Sequence, residues 1–103
     1  MLYTDERFCS QPMTIGRHEW RVAVRFFPWV TRDGAWCTMF EWRPVGDPQW
    51  RDYEDWPTYD TNKSDSGLPK SLDRLYHHNK KTIDDALAGR PLDIQPALFG
   101  GVT

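Results

Sequence analysis

Two stretches of alternating apolar and polar residues, His18 to Thr31 and Ala35 to Val45, flank the tripeptide Arg32-Asp33-Gly34. Both are rich in β-branched and aromatic residues, and the glycine-containing link between them predicts a β-hairpin. A two-residue Asp33-Gly34 turn would set Val24 against Arg43 and Phe26 against Glu41, scattering charge over the apolar face. A three-residue loop with Gly34 in the left-handed conformation instead pairs Thr31 with Ala35 and Arg25 with Glu41. One face then carries Trp20, Val22, Val24, Phe26, Pro28 and Val30 with Trp36, Thr38, Phe40, Trp42 and Pro44. The other carries Glu19, Arg21, Ala23, Arg25, Phe27 and Trp29 with Cys37, Met39, Glu41 and Arg43. A slip of one residue turns every side chain over, so the clean segregation selects the three-residue loop. Pro28 lacks an amide donor and belongs at an edge or a bulge.

Farther along, the apolar period lengthens to that of a helix over about residues 69–88. Pro69 suits the first helical position and Gly89 the residue just past the end. Leu72, Leu75, Tyr76, Asn79, Ile83, Ala86 and Leu87 share one face, with Lys70, Arg74, His77 and Lys81 opposite. Asp73–His77, Lys80–Asp84 and Lys81–Asp85 stand four apart and can pair. A helix whose apolar stripe caps the Trp/Val/Phe face of the hairpin is the two-layer solution, an α+β fold. Short strands near 50–54 and 92–95 are the candidates for extending the sheet. Residues 1–14 show no periodicity and are expected to form an N-terminal arm. The α+β core then spans 15–90, with an acidic aromatic segment at 47–67 and an extended tail at 91–103.

Composition refines this picture. The chain of 103 residues holds 6 Trp and 4 Tyr, large side chains that make up for a modest aliphatic content. Its length suits one domain. No stretch approaches the roughly 20 apolar residues of a membrane span. The acidic N-terminal sequence lacks the apolar run of a secretory signal, so the expected location is the cytoplasm. Cys9 and Cys37 are too few for a disulfide framework and are expected as reduced thiols, with one bridge from the arm to the sheet as the alternative. The net charge is −2, and it is unevenly spread. Within 47–67, Asp47, Asp52, Glu54, Asp55, Asp60 and Asp65 face only Arg51 and Lys63. An acidic chain of this kind argues against duplex-DNA binding by counterion release.

Candidate chemistry is sparse. His77-His78 point about 100° apart on a helix and no zinc-ligand spacing accompanies them, which leaves only a remote site from Cys9, Cys37 and a histidine. Asp60-x-Asn62-x-Ser64 opens like a calcium loop, but Asp65 stands where that loop needs Gly and Ser71 where it needs Glu. There is no nucleophile elbow and no phosphate-cradling loop, and the paired acids Glu54-Asp55 and Asp84-Asp85 are only sequence neighbours. The expectation is a non-enzymatic chain with no metal or cofactor.

Two surfaces stand out. Arg21, Arg25 and Arg43 interleave with Phe27 and Trp29, the ingredients of a platform for single-stranded nucleic acid. The competing account makes Phe27, Trp29, Cys37 and Met39 a second apolar patch, with Glu19 and Glu41 neutralising the arginines. From Trp50 to Tyr59, the aromatics Trp50, Tyr53, Trp56 and Tyr59 alternate with Asp52, Glu54 and Asp55. Such residues can anchor a protein partner, with the acids steering a basic one, or can fold back to plug the core. The leading expectation is a protein-binding module — an inhibitor, adaptor or accessory subunit — with nucleic-acid binding or a structural role in a larger assembly as alternatives. An acidic inhibitor that blocks a nucleic-acid-binding partner, as small phage-encoded inhibitors do, is one version, by analogy of size and charge only.

Overall fold

The computed structural model describes residues 5–56 and 67–92. Strands β1 (Glu6–Cys9), β2 (Met13–Ile15), β3 (His18–Phe27), β4 (Ala35–Pro44) and β5 (Arg51–Asp52) form one antiparallel sheet. Helices α1 (Leu68–His78) and α2 (Lys80–Leu87) follow. The order across the sheet is β1-β3-β4-β5, with β2 also pairing β3. Both helices pack on one face, giving a two-layer α+β fold.

The hairpin is present, with a different register from the one its side chains suggested. Phe27 lies opposite Ala35, Trp20 opposite Trp42 and His18 opposite Pro44. Thr31 is therefore not paired with Ala35, and residues 28–34 form a seven-residue loop. Relative to the expected register, each partner moves by four residues. Because four is even, every side chain of the paired residues 18–27 and 35–44 stays on its expected face. Pro28 supplies a reason: without an amide it cannot extend the ladder, so the strand ends just before it. The observed register also places Arg21 opposite Glu41 and Glu19 opposite Arg43, two complementary cross-strand pairs. Gly34 does adopt the left-handed conformation, with φ 80°, and the Phe26 ring occupies the space a side chain there would need. Both facts make the position one for glycine.

Within the expected arm, residues 6–9 and 13–14 are strand. Glu6–Cys9 pairs with Ala23–Arg25, and Met13–Ile15 pairs with His18–Trp20 across a tight turn at Gly16, φ 62°. A shift of register between Glu6 and Phe8 breaks the alternation there, which is why this strand escapes a search for period two. The shift lets Phe8 enter the core while Arg7 crosses to the helix layer. Its guanidinium lies 3.9 Å from the centre of the Trp36 ring and donates to Ala86 O at 3.0 Å.

The single expected helix is two, interrupted at Asn79. There the side-chain amide donates to Leu75 O at 2.9 Å, a competition with the backbone that suits a break. Leu68, Leu72, Leu75, Ile83 and Ala86 are buried against Trp20, Val22, Val24, Phe8 and Ile15. Tyr76 and Asn79 are half-buried and Leu87 is exposed. The pairs Lys80–Asp84 and Lys81–Asp85 form at 2.9 and 3.0 Å, and His77 lies 3.4 Å from Asp73. Past the end, Gly89 takes φ 73° while Arg90 and Gly89 donate to Asp85 O and Ala86 O. This is the Schellman closure that a glycine at this position permits. No helix among the described residues is long and apolar enough to cross a membrane. Of the expected strand near 92–95, all but Leu92 lies outside the described residues, as do Tyr59 and the loop from Asp60 to Ser64.

Candidate functional site

The face of the sheet away from the helices holds an ionic cluster. Glu41 accepts from Arg21 Nε at 2.7 Å and from Arg25 Nε and Nη2 at 3.0 and 3.1 Å. Arg25 also pairs with Glu6, and Arg43 with Glu19 at 2.7 Å. Arg25 and Glu41 thus meet as expected, but diagonally rather than face to face. Ala23, the small residue between Arg21 and Arg25 on this face, leaves room for the two long arms. Burial works against the charge of Arg25; hydrogen bonds and attraction first to Glu41 and then to Glu6 outweigh it and hold the guanidinium more firmly protonated than usual.

Trp50 joins this cluster. The guanidinium carbons of Arg21 and Arg43 lie 4.2 and 4.3 Å from the centre of its ring, within cation–π range. A residue expected on the partner surface and two expected on a nucleic-acid platform are therefore one another's partners. The third arginine is buried. Phe27 is half-buried, and Trp29 is 51% exposed with its ring 5.3 Å from that of Phe27.

The acidic aromatic segment is likewise divided. Trp56 is 6% exposed and belongs to the core, its ring 4.6 Å from His18, 5.0 Å from Trp42 and 5.1 Å from Trp20. Here plugging of the core prevails over surface display. The Trp42 indole donates to Asp52 O at 3.0 Å, whereas the buried indole nitrogens of Trp20 and Trp56 have no hydrogen-bond partner among the described residues. Between Asp52 and Trp56 the chain makes one 3-10 turn, Tyr53–Asp55. Asp52 Oδ1 accepts from Glu54 N at 3.0 Å, and Trp56 N donates to Tyr53 O at 2.9 Å. The turn is thus pinned at both ends by groups anchored to Trp42 and the core. Its own side chains, Tyr53, Glu54 and Asp55, are exposed, Tyr53 to 48%, with the centre of that ring 6.0 Å from the centre of the Trp20 ring.

Two depressions adjoin this turn. A wide cleft of about 870 Å³ is lined by the ionic cluster, Trp50, Arg51, Asp52, Glu54 and Asp55. Much of its charge is already matched within the chain, Arg51 pairing with Asp47 at 2.7 Å. The second is a shallower groove of about 320 Å³. Asp52, Tyr53 and Glu54 form one of its sides, and Phe27, Val30, Cys37 and Met39 line it along the hairpin. Of the apolar patch weighed for Phe27, Trp29, Cys37 and Met39, all but Trp29 line this groove, with the acidic turn along one side. A hairpin-tip residue such as Val30, 48% exposed, gives no sign in sequence that it will share a groove with Tyr53.

Cys9 and Cys37 are both free. Burial, chiefly, pushes the Cys9 thiol up to about 11, so it stays protonated and unreactive near neutral pH. His77 and His78 are exposed on α1. Among the described residues no group of three or more His, Cys, Asp or Glu side chains could hold a metal ion. The chain matches no known family model, and comparison with characterised proteins and with solved structures finds no match either.

Proposed function

We propose that this chain is a non-enzymatic protein-binding module, an inhibitor, adaptor or accessory subunit, whose contact surface is the Tyr53–Asp55 turn and the groove beside it. One observation carries the reading. An exposed aromatic side chain and two exposed acids sit on a turn pinned at both ends, next to an apolar depression. A pre-formed aromatic anchor loses little freedom on binding, and flanking carboxylates steer a basic partner toward it. The nucleic-acid alternative has less behind it, because Arg21, Arg25 and Arg43 already spend their charge on Glu41, Glu6 and Glu19. A phosphate would have to displace those carboxylates.

Affinity capture from the cell of origin tests this. Wild type and Lys70→Ala, a change on the far side of the helix layer, should retain the same protein. Tyr53→Ala/Glu54→Lys should lose it while remaining folded. Trp56→Ala would report on folding instead, since Trp56 is core. A single-stranded oligonucleotide that binds wild type, weakens steeply with salt and is lost in Arg43→Glu would overturn the proposal.

A further inference from the structure

The groove runs beside a stretch of the sheet that no described strand fills. Val45 N donates to Arg17 O at 3.0 Å, while on β3 Phe26 N and Val22 N point the other way, to Asp5 O and Ser10 Oγ. In an antiparallel ladder the two backbone groups of a residue point to the same side, alternating along the strand. The odd residues of β4 therefore bond to β3, and Trp36, Thr38, Phe40 and Trp42 turn their N–H and C=O groups outward. Strand β5 meets only Glu41 and Trp42 before the chain leaves in the 3-10 turn. Among the described residues nothing pairs with the outer side of Ala35–Met39, and the Glu41–Asp52 pairing turns Tyr53 N toward Phe40 O while the Phe40 N–H stays outward. Residues Ala35–Phe40 are all half-buried.

Proteins blunt open edges with charge, proline or bulges. Ala-Trp-Cys-Thr-Met-Phe contains no charged residue and no proline, and it pairs with β3 without a bulge. Its open length is roughly 20 Å, at about 3.3 Å per residue. At one end β5 already shows a strand seated on this edge. Beside that end stands Glu54, exposed, and along the outer face lie Phe27, Val30 and Met39.

We infer that the β4 edge from Trp36 to Phe40 takes up an extended segment of a partner protein as an added strand, one that is apolar toward the groove and carries a basic residue at the end beside Glu54. The outward N–H and C=O groups of Trp36 and Thr38 and the N–H of Phe40 supply its backbone bonds. The groove takes its apolar side chains, and Glu54 meets a lysine or arginine. This inference rests on the protein-binding reading and specifies how the same surface engages its partner.

The test uses the full chain and a blocked peptide of alternating valine and lysine, with amide hydrogen exchange followed residue by residue. In the free protein Trp36, Thr38 and Phe40 should exchange faster than Cys37, Met39 and Glu41. Saturating peptide should slow those three by at least about tenfold, the scale set by one backbone bond of about 1.4 kcal/mol. Thr38→Pro removes an outward donor and leaves the β3 bonds intact, so it should weaken peptide binding about tenfold or more. Met39→Lys, which keeps every backbone group and puts a positive charge in the groove, should do the same. Slow exchange at all three amides before peptide is added would overturn the inference, because the edge would already be filled. So would a concentration-dependent dimer abolished by Thr38→Pro, which would make a second copy the occupant. If the peptide protects none of them while capture still depends on Tyr53 and Glu54, the added strand is refuted and the protein-binding reading survives. If capture is indifferent to Tyr53 and Glu54 as well, both fail.

Discussion

The base and the tip of the central hairpin are built from the same kinds of side chain and put them to opposite uses. At the base, Trp20 and Trp42 pack with His18 and Trp56 in tilted and edge-on contacts, and Trp20 has no exposed surface. At the tip, Phe27 and Trp29 make a similar edge-on pair, yet Trp29 and Val30 stand about half exposed. Aromatic content does not distinguish the two ends; cover does. The base is flanked by β2 on one side and β5 on the other, with the helix layer below. The tip projects past β5 on a loop that Pro28 and Gly34 delimit. A tryptophan becomes core where neighbouring backbone surrounds it, and becomes available surface where the sheet runs out.

The sharpest way to break that contrast is to truncate one tryptophan at each end. Trp20→Ala should cost about 3–5 kcal/mol by urea unfolding, as a large core deletion does. Trp29→Ala should cost less than about 1 kcal/mol. Equal losses would mean that the tip is core too. A somewhat smaller effect separates the ionic face from ordinary surface. Glu41→Gln leaves buried Arg25 with Glu6 and takes from Arg21 its only carboxylate partner in the cluster, so it should destabilise by about 3 kcal/mol. An exposed pair such as Lys81–Asp85 should give only a few tenths when broken in the same way.

The smallest effect is one of pH. The Cys9 thiol titrates at about 11 in the fold against an ordinary 9.0. A group whose pKa is raised by folding contributes stability that is complete below the unfolded value and is lost as pH climbs toward the folded one. Stability should therefore decline between about pH 9 and 11, and the decline should be shallower in Cys9→Ala. Equal slopes for the two proteins would show that the Cys9 thiol is not buried in the fold.

Much of the layer arrangement was legible because it depends on periods. Alternation at two assigned the hairpin faces correctly, and spacing at three and four assigned Leu72, Leu75, Ile83 and Ala86 to the core side. The strand at 51–52 fell inside the 50–54 window. The misplaced register has a particular origin. Pairings that differ by an even offset segregate apolar and charged residues equally well, so segregation could not choose between Thr31 and Phe27 as the partner of Ala35. Pro28 carried the missing information, as the residue that stops the ladder. Residues 6–9 were illegible for another reason, because the irregularity between Glu6 and Phe8 removes the alternation that marks a strand. The candidate surface was only half legible. Trp50 and Trp56 resemble Tyr53 in local sequence, but one stacks on arginines and the other fills the core.

Local chemistry along the chain determined which residues alternate, where the helical stripe runs, where Gly34 and Gly89 turn left-handed, and which charges stand one helical turn apart. These follow from the geometry of a strand or a helix taken singly. Tertiary structure alone decided the register, the fate of each aromatic between 50 and 56, and how much of β4 the described strands cover. Those outcomes depend on which distant segment arrives to cover a side chain or to pair with a backbone amide, and that competition is settled only when the whole sheet closes over its helices.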